Sequence, residues 1–328
     1  MNRIALLVGI DRYESDDFED LSCCVDDALA MESVISRHEP AEPGGQGERN
    51  FNCRTLTSEA SRITADSLGT EVDNLMTRLV DGGDVLFYFS GHGLADESGG
   101  YLVTQEGTRD QPGLPMRRLL EAANRGRNLS VVIILDCCHS GQIGNVTEGE
   151  NFNQVLIGAN VTVLAAAGAK QESSEGLEHS LFTQLVLDAL GGGASDVCGD
   201  VSAAAVYAYV EQALGVWEQR PVYKSYARQL RPIRRCCPAV PHAVLARLSD
   251  WFAAPEAEYS MDPSFEVTRP EAVAENVAVF DQFKLLRNAR LLTTADGRDL
   301  YWTALESGSV HLTPQGRLFW KRARRGDF

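Results

Sequence analysis

The chain has 328 residues, 44% of them hydrophobic and 23% charged, enough apolar material for one large α/β domain and a smaller one. Its formal net charge of −16 excludes a general nucleic-acid or anionic-membrane binder, because both depend on an excess of Lys and Arg. No apolar run approaches the roughly 20 residues of a membrane span, and Ile4–Val8 is too short for a secretory signal.

In chain order, Ile4–Val8 reads as a buried strand ended by Gly9. A helix is expected from Asp26 to Arg37, with Ala28, Leu29, Met31, Val34 and Ile35 on its apolar face. Pro40–Gly47 is a Pro/Gly-rich surface loop, Phe51–Leu56 a strand and Thr64–Leu79 a helix. The run Val85-Leu86-Phe87-Tyr88-Phe89 is a second buried strand and ends in Ser90-Gly91-His92-Gly93; a short strand follows at Tyr101–Thr104. A helix opens at Pro115 and leads to Val131-Val132-Ile133-Ile134-Leu135, a third buried strand, which ends in Asp136-Cys137-Cys138-His139-Ser140-Gly141. Val161–Ala165 is another strand, with helices near Ser180–Leu190 and Ala203–Leu214. Strands alternating with helices predict a mostly parallel sheet flanked by helices.

The segment Pro232–Pro238 marks the exit from a first domain at 1–235. A helix near Val244–Phe252 and an acidic stretch, Ala254–Glu271, make up 236–276, read as helix and linker. The last domain, 277–328, holds a helix through Phe283–Leu286, a hairpin around Ala295-Asp296-Gly297 and a helix started at Thr313-Pro314, together a small winged-helix-like α+β module.

Eight cysteines include the adjacent pairs Cys23-Cys24, Cys137-Cys138 and Cys236-Cys237. Neighbouring cysteines rarely form a disulfide, and no CxxC spacing points to zinc, so a reducing, cytoplasmic location is expected and no metal ligand is assigned. Two buried strands each deliver one reactive side chain at the carboxyl end, where open α/β sheets bind ligands. An imidazole at His92 and a thiol in the Cys137-Cys138 pair are the two groups that a cysteine nucleophile and its base require.

The two strand-end motifs resemble those of caspase-like cysteine peptidases, and the second is closer to metacaspases and prokaryotic caspase homologues. Cys138 follows His92 by 46 residues, against about 50 for caspases. Leu6-Leu7-Val8-Gly9-Ile10-Asp11 and Cys24-Val25-Asp26-Asp27-Ala28 share in the resemblance, which covers roughly 1–235. It implies Cys138 as nucleophile, His92 as base, and the backbone N–H groups of Gly93 and Cys138 as oxyanion hole; no third triad member is nominated. Cys137 is then a packed wall residue. His139 sits beside the thiol in sequence, poorly placed for proton transfer, and a Cys137/Cys138/His139 zinc site fails because three consecutive residues cannot all face one ion.

True caspases hold an acidic P1 side chain with arginines, one of them just before the first helix, whereas Asp20-Leu21-Ser22-Cys23-Cys24-Val25 contains none. In metacaspases acidic residues line that pocket, and the matching positions are Asp27 and Asp136. The resemblance therefore implies protein substrates with Arg or Lys at P1. The alternative roles are a helix cap for Asp26 or Asp27 and a strand-end hydrogen bond for Asp136. From Asn128 to Ala169 there is no Lys or Arg, so self-cleavage after a basic residue has its first site at Lys170. A single-chain enzyme, or one switched on by another protease or a regulatory protein, is expected. Calcium, needed by many metacaspases, stays an open cofactor: Glu106 and Asp110 follow the His strand without completing a ligand set, and Asn145 stands where an acid is expected.

The chain ends with Lys321, Arg322, Arg324 and Arg325, which suit either phosphate contacts or the negative end of a helix dipole. With Phe283, Leu286, Trp302 and Trp320 as a small core or docking face, a protein-interaction role is favoured over nucleic acid. Bacterial relatives with such accessory domains act in defence or regulated death. The competing function is a catalytically silent adaptor working through this last domain; a transcription factor with a caspase-like sensor is the most distant reading.

Overall fold

The computed structural model describes residues 2–40, 45–97, 99–126, 128–137, 157–166, 178–214, 220–228 and 231–328. It divides into two compact units, Met1–Ser195 with Asp200–Cys236, and Asp196–Gly199 with Cys237–Phe328.

In the first unit the elements are β1 (Arg3–Gly9), α1 (Cys24–Ile35), β2 (Asn52–Thr57), α2 (Ala65–Thr77), β3 (Gly83–Ser90), β4 (Gly93–Asp96), β5 (Gly99–Val103), β6 (Gly113–Pro115), α3 (Met116–Arg125), β7 (Leu129–Asp136), β8 (Val161–Ala165), α4 (Leu181–Asp188), β9 (Asp200–Val201), α5 (Ala203–Ala213), β10 (Val222–Ser225) and β11 (Arg234–Arg235). The main sheet runs β10-β8-β7-β3-β1-β2, parallel throughout except for β10, which lies antiparallel on β8. The expected mostly parallel sheet between helices is present. The edge strand β10 was not legible, because Val222-Tyr223-Lys224-Ser225 carries no buried run.

The reason for this layering is visible in the strand sequences. Ile4, Leu6, Val8, Val85, Phe87, Phe89, Val131, Ile133 and Leu135 point to one face, where α2 and α3 pack. Ala5, Leu7, Leu86, Tyr88, Ile134 and Leu164 point to the other, against α1, α4 and α5. A strand apolar at every position has two faces to hide, and each fully buried Leu, Phe or Val contributes about 1.5–3 kcal/mol. Since β1 has β2 on one side and β3 on the other, the chain changes winding direction between β1 and β3, and the carboxyl ends of such a pair are where open α/β sheets bind ligands.

The second unit contains α6 (His242–Ala246), α7 (Leu248–Trp251), β12 (Glu258–Ser260), α8 (Ala274–Asn288), β13 (Leu292–Thr294), α9 (Leu300–Leu305), β14 (Ser309–Leu312) and α10 (Pro314–Arg325). Its sheet is antiparallel, ordered β12-β14-β13. Two expectations change here. The stretch Ala254–Glu271 supplies β12 and the buried Met261 and Phe265, so its acidic residues decorate a folded segment in place of a linker. Ala295-Asp296-Gly297 is a turn leading into α9 and not the tip of a hairpin: Asp299 caps that helix through the N–H of Tyr301, and β14 comes only afterwards. Among the described residues no helix is long and apolar enough to cross a membrane.

Candidate active site

The carboxyl ends of β1, β3 and β7 carry the residues singled out by sequence. Ser90 and Asp136 are register partners on adjacent parallel strands, and the Gly91 N–H donates to the Asp136 carbonyl at 3.2 Å. His92 follows Ser90 by two positions in the sequence, and Cys138 follows Asp136 by two. Cys138 lies outside the described residues, as do His139, Asn145 and Lys170. Its neighbour Cys137 is buried in the core on the α2–α3 side, a place for a packing thiol rather than a reactive one.

His92 is held by groups that sequence reasoning did not find. Its backbone N–H donates to the Tyr13 hydroxyl at 2.8 Å, and that hydroxyl donates to the Ile10 carbonyl at 3.1 Å. The rings of Tyr13 and Phe18 lie 4.8 and 5.7 Å from the imidazole. Burial pushes the Tyr13 phenol well above its ordinary pKa, so it stays a neutral donor. The imidazole Nε2 is 2.7 Å from the Glu19 carbonyl oxygen. A carbonyl only accepts, so Nε2 carries the proton and neutral His92 keeps its lone pair on Nδ1. A backbone carbonyl has no side-chain signature, and Tyr13 and Phe18 come from a loop without periodicity. Gly93 opens β4 opposite Leu102, and the Val103 N–H donates to the His92 carbonyl at 3.0 Å.

Asp27 and Asp136 come together beneath the same strand ends. Asp27 is on the first turn of α1 with no exposed surface; its carboxylate accepts from Ser90 Oγ (2.9 Å), His179 Nδ1 (3.0 Å) and the Ser180 N–H (3.3 Å). Asp136 is buried as well and accepts from the Ser180 hydroxyl and from Thr183 Oγ1 at 2.6 Å. Ser180 joins the two, and it also caps α4 by accepting from the Thr183 N–H at 3.0 Å. Because the Thr183 hydroxyl proton is spent on Asp136, the 2.5 Å contact between Tyr88 and Thr183 has Tyr88 as donor.

Asp27 is therefore not a helix cap. That task falls to Asp11, whose Oδ1 and Oδ2 accept from the N–H groups of Cys24 (2.8 Å) and Val25 (3.2 Å). Burial raises the Asp27 pKa to about 8, with Asp136 and then Cys23 adding like-charge repulsion. Burial also raises Asp136, against the opposing hydrogen bonds of Ser180 and Thr183. None of these leading influences is a cation, whereas buried Asp84 at the opposite end of the sheet has both Arg3 (3.0 Å) and Arg231 (2.8 Å). Among the described residues neither Asp27 nor Asp136 is paired with an arginine or lysine, and the side chain in contact with Asp27 that can be cationic is His179, when protonated.

Glu106 accepts from the Ala65 N–H at the start of α2 (2.7 Å), and among the described residues no three His, Cys, Asp or Glu side chains are grouped to hold a metal ion. In the second unit, Arg322 packs over the rings of Phe319 and Phe328, Arg324 packs over Trp320, and Arg325 pairs with Asp327 at 2.9 Å. Phe283 and Leu286 are buried there, while Trp302 is 53% exposed.

The family described as Caspase domain matches residues 2–230. Among solved structures, a protein from Geobacter sulfurreducens is similar at 15% identity and a TM-score of 0.50, over 72% of this chain and all of that one. Caspase-1 from Spodoptera frugiperda is similar at 11% identity and a TM-score of 0.49, over 72% of this chain and 92% of that one. None of the curated proteins compared with the chain matches it.

Proposed function

Because this chain belongs to the caspase-domain family, a family of cysteine peptidases, we propose that it is a cysteine endopeptidase cutting protein substrates after basic P1 residues, Arg and also Lys. The observation that carries the specificity is the pair Asp27 and Asp136, both buried, joined through Ser180, and with no arginine or lysine among their hydrogen-bond partners in the described residues. A guanidinium entering between them would restore the charge balance, while an acidic P1 side chain would add a third negative group.

In the proposed reaction His92 Nδ1 takes the Cys138 thiol proton, and the thiolate attacks the carbonyl carbon of the P1 residue. The oxyanion is held by the N–H groups of Gly93 and Cys138. His92 returns the proton to the leaving amine as the C–N bond breaks. A water deprotonated by His92 then opens the thioester, releasing the carboxylic acid and restoring the thiol. The Glu19 carbonyl supports both steps by holding Nε2–H and stabilising the imidazolium. Control by an upstream protease or a regulatory partner of the second unit belongs to this reading, supported by the absence of Lys and Arg from 128 to 169; a cytoplasmic role in bacterial defence or regulated death follows from the resemblance alone.

Fluorogenic peptides ending in Arg, Lys or Asp test the reading, with and without calcium, beside Cys138→Ala. Cleavage after Arg or Lys that disappears in Cys138→Ala is the expected result. Cleavage after Asp would overturn the pocket assignment and keep the dyad. No cleavage in any condition would point to a latent enzyme awaiting its activator or to the silent adaptor.

A further inference from the structure

Asp27 is closed off from solvent, and a histidine forms part of the closure. The Asp27 side chain has no exposure, while His179, whose Nδ1 lies 3.0 Å from Asp27 Oδ1, keeps 17% of its own. The other two partners are the Ser90 hydroxyl and the Ser180 N–H. Of the three, His179 alone is a side chain able to carry positive charge. It makes with Oδ1 the same contact that a cationic P1 side chain would need.

The neighbouring residue supplies a pivot. Ser180 is tied to Asp136 through its hydroxyl, to Asp27 through its N–H and to α4 as its cap. His179 is the residue just before this anchored point, so its ring can turn away while the floor of the pocket stays in place. Removing it deprives Asp27 Oδ1 of one hydrogen bond. A guanidinium, with five N–H donors in a planar fork, returns that bond and has donors left for Asp136. An ammonium is a compact, strongly hydrated charge that returns less.

We propose that His179 is a lid of the P1 pocket: its imidazole occupies Asp27, and a basic P1 side chain must displace it to bind. The proposal rests on the basic-P1 reading above. His179 touches no reacting atom in this scheme; it acts on substrate binding.

The test is steady-state kinetics of the full chain and of His179→Ala and His179→Gln on matched Arg and Lys peptides. Alkylation of Cys138 by iodoacetamide, which needs no P1 group, reports in parallel whether each variant folds with a competent thiol. His179→Ala should lower KM for the Arg peptide about two- to tenfold, the size of one competing hydrogen bond, with kcat unchanged. KM for the Lys peptide should fall by the same factor, because displacing the imidazole costs both substrates alike. His179→Gln, a neutral donor, should lie between, and it carries the test if His179→Ala is not alkylated. Unchanged KM values in a variant that alkylates normally would overturn the lid alone. A KM that rises would overturn it too, by making His179 a substrate ligand. Cleavage of a matched Asp peptide by the unaltered protein, with neither basic peptide cut, would overturn the basic-P1 reading and the lid with it.

Discussion

A carboxyl group buried beside a second carboxyl is a weak acid, and with a pKa near 8 Asp27 is largely protonated at neutral pH. Affinity for a P1 arginine should therefore rise with pH through about 8, as KM measured from pH 6 to 9 would show. Asp27→Asn should flatten that profile and remove most of the preference for basic P1 residues. The linked effect on stability has the opposite direction. The folded state holds a proton between the ordinary carboxylate pKa of about 4 and about 8 that the unfolded chain releases, so this group costs stability progressively as pH rises across that window. Asp27→Asn should melt near the natural protein at pH 4 and increasingly above it toward pH 9, measured by calorimetry. The other residue-scale test is Tyr13, whose hydroxyl bridges the His92 N–H and the Ile10 carbonyl. Tyr13→Phe leaves both without that partner, at a cost of about 1–3 kcal/mol, and should lower kcat more than it raises KM, because it loosens the base and not the pocket.

At the scale of elements, the junction of β1 with α1 decides where Asp27 stands. A Cβ on Gly9 would come 2.2 Å from the Cys24 carbonyl oxygen, so the strand end and the helix start can touch only through a glycine. Gly9→Ala should cost about 1–3 kcal/mol in urea unfolding and displace α1 with its aspartate. Asp11→Ala should cost about 1 kcal/mol by uncapping the same helix, because the residue at its own cap position, Cys23, supplies no capping hydrogen bond. Regular elements with strong patterns were legible: Thr64 caps α2 with Ser67 as the reciprocal partner, and the three all-apolar runs are β1, β3 and β7. Elements held by pairing alone were not. β4, β6 and β10 have three or four residues each, too few for a period, and exist because β5 and β8 offer them a partner.

For the whole molecule, the second unit has its own core, in which Phe252, Met261 and Phe265 join Phe280, Phe283 and Phe319. A fragment 277–328 lacks the first three and should stay unfolded by circular dichroism, whereas 237–328 should melt cooperatively. The acidic composition of 254–271 concealed this, because a folded segment and a linker differ here in two buried apolar side chains, Met261 and Phe265, and not in charge. What the sequence by itself determined was local or repeated along the chain. The apolar runs dictate a sheet covered on both faces, and the motifs at the ends of two of them hold His92, Asp136 and Cys138, since a strand must release its last residues at an edge of the sheet; Asp27 was reached only through the family resemblance. Only the tertiary structure decided who surrounds them. Asp27 meets His179 and Ser180 across more than 150 positions of chain, and His92 meets Glu19 across 73. Such partners are chosen by where helices dock and loops return, and one of them is a backbone carbonyl that every residue possesses. The burial of Asp27 and the partners around it, unlike its place in the sequence, are therefore properties of packing.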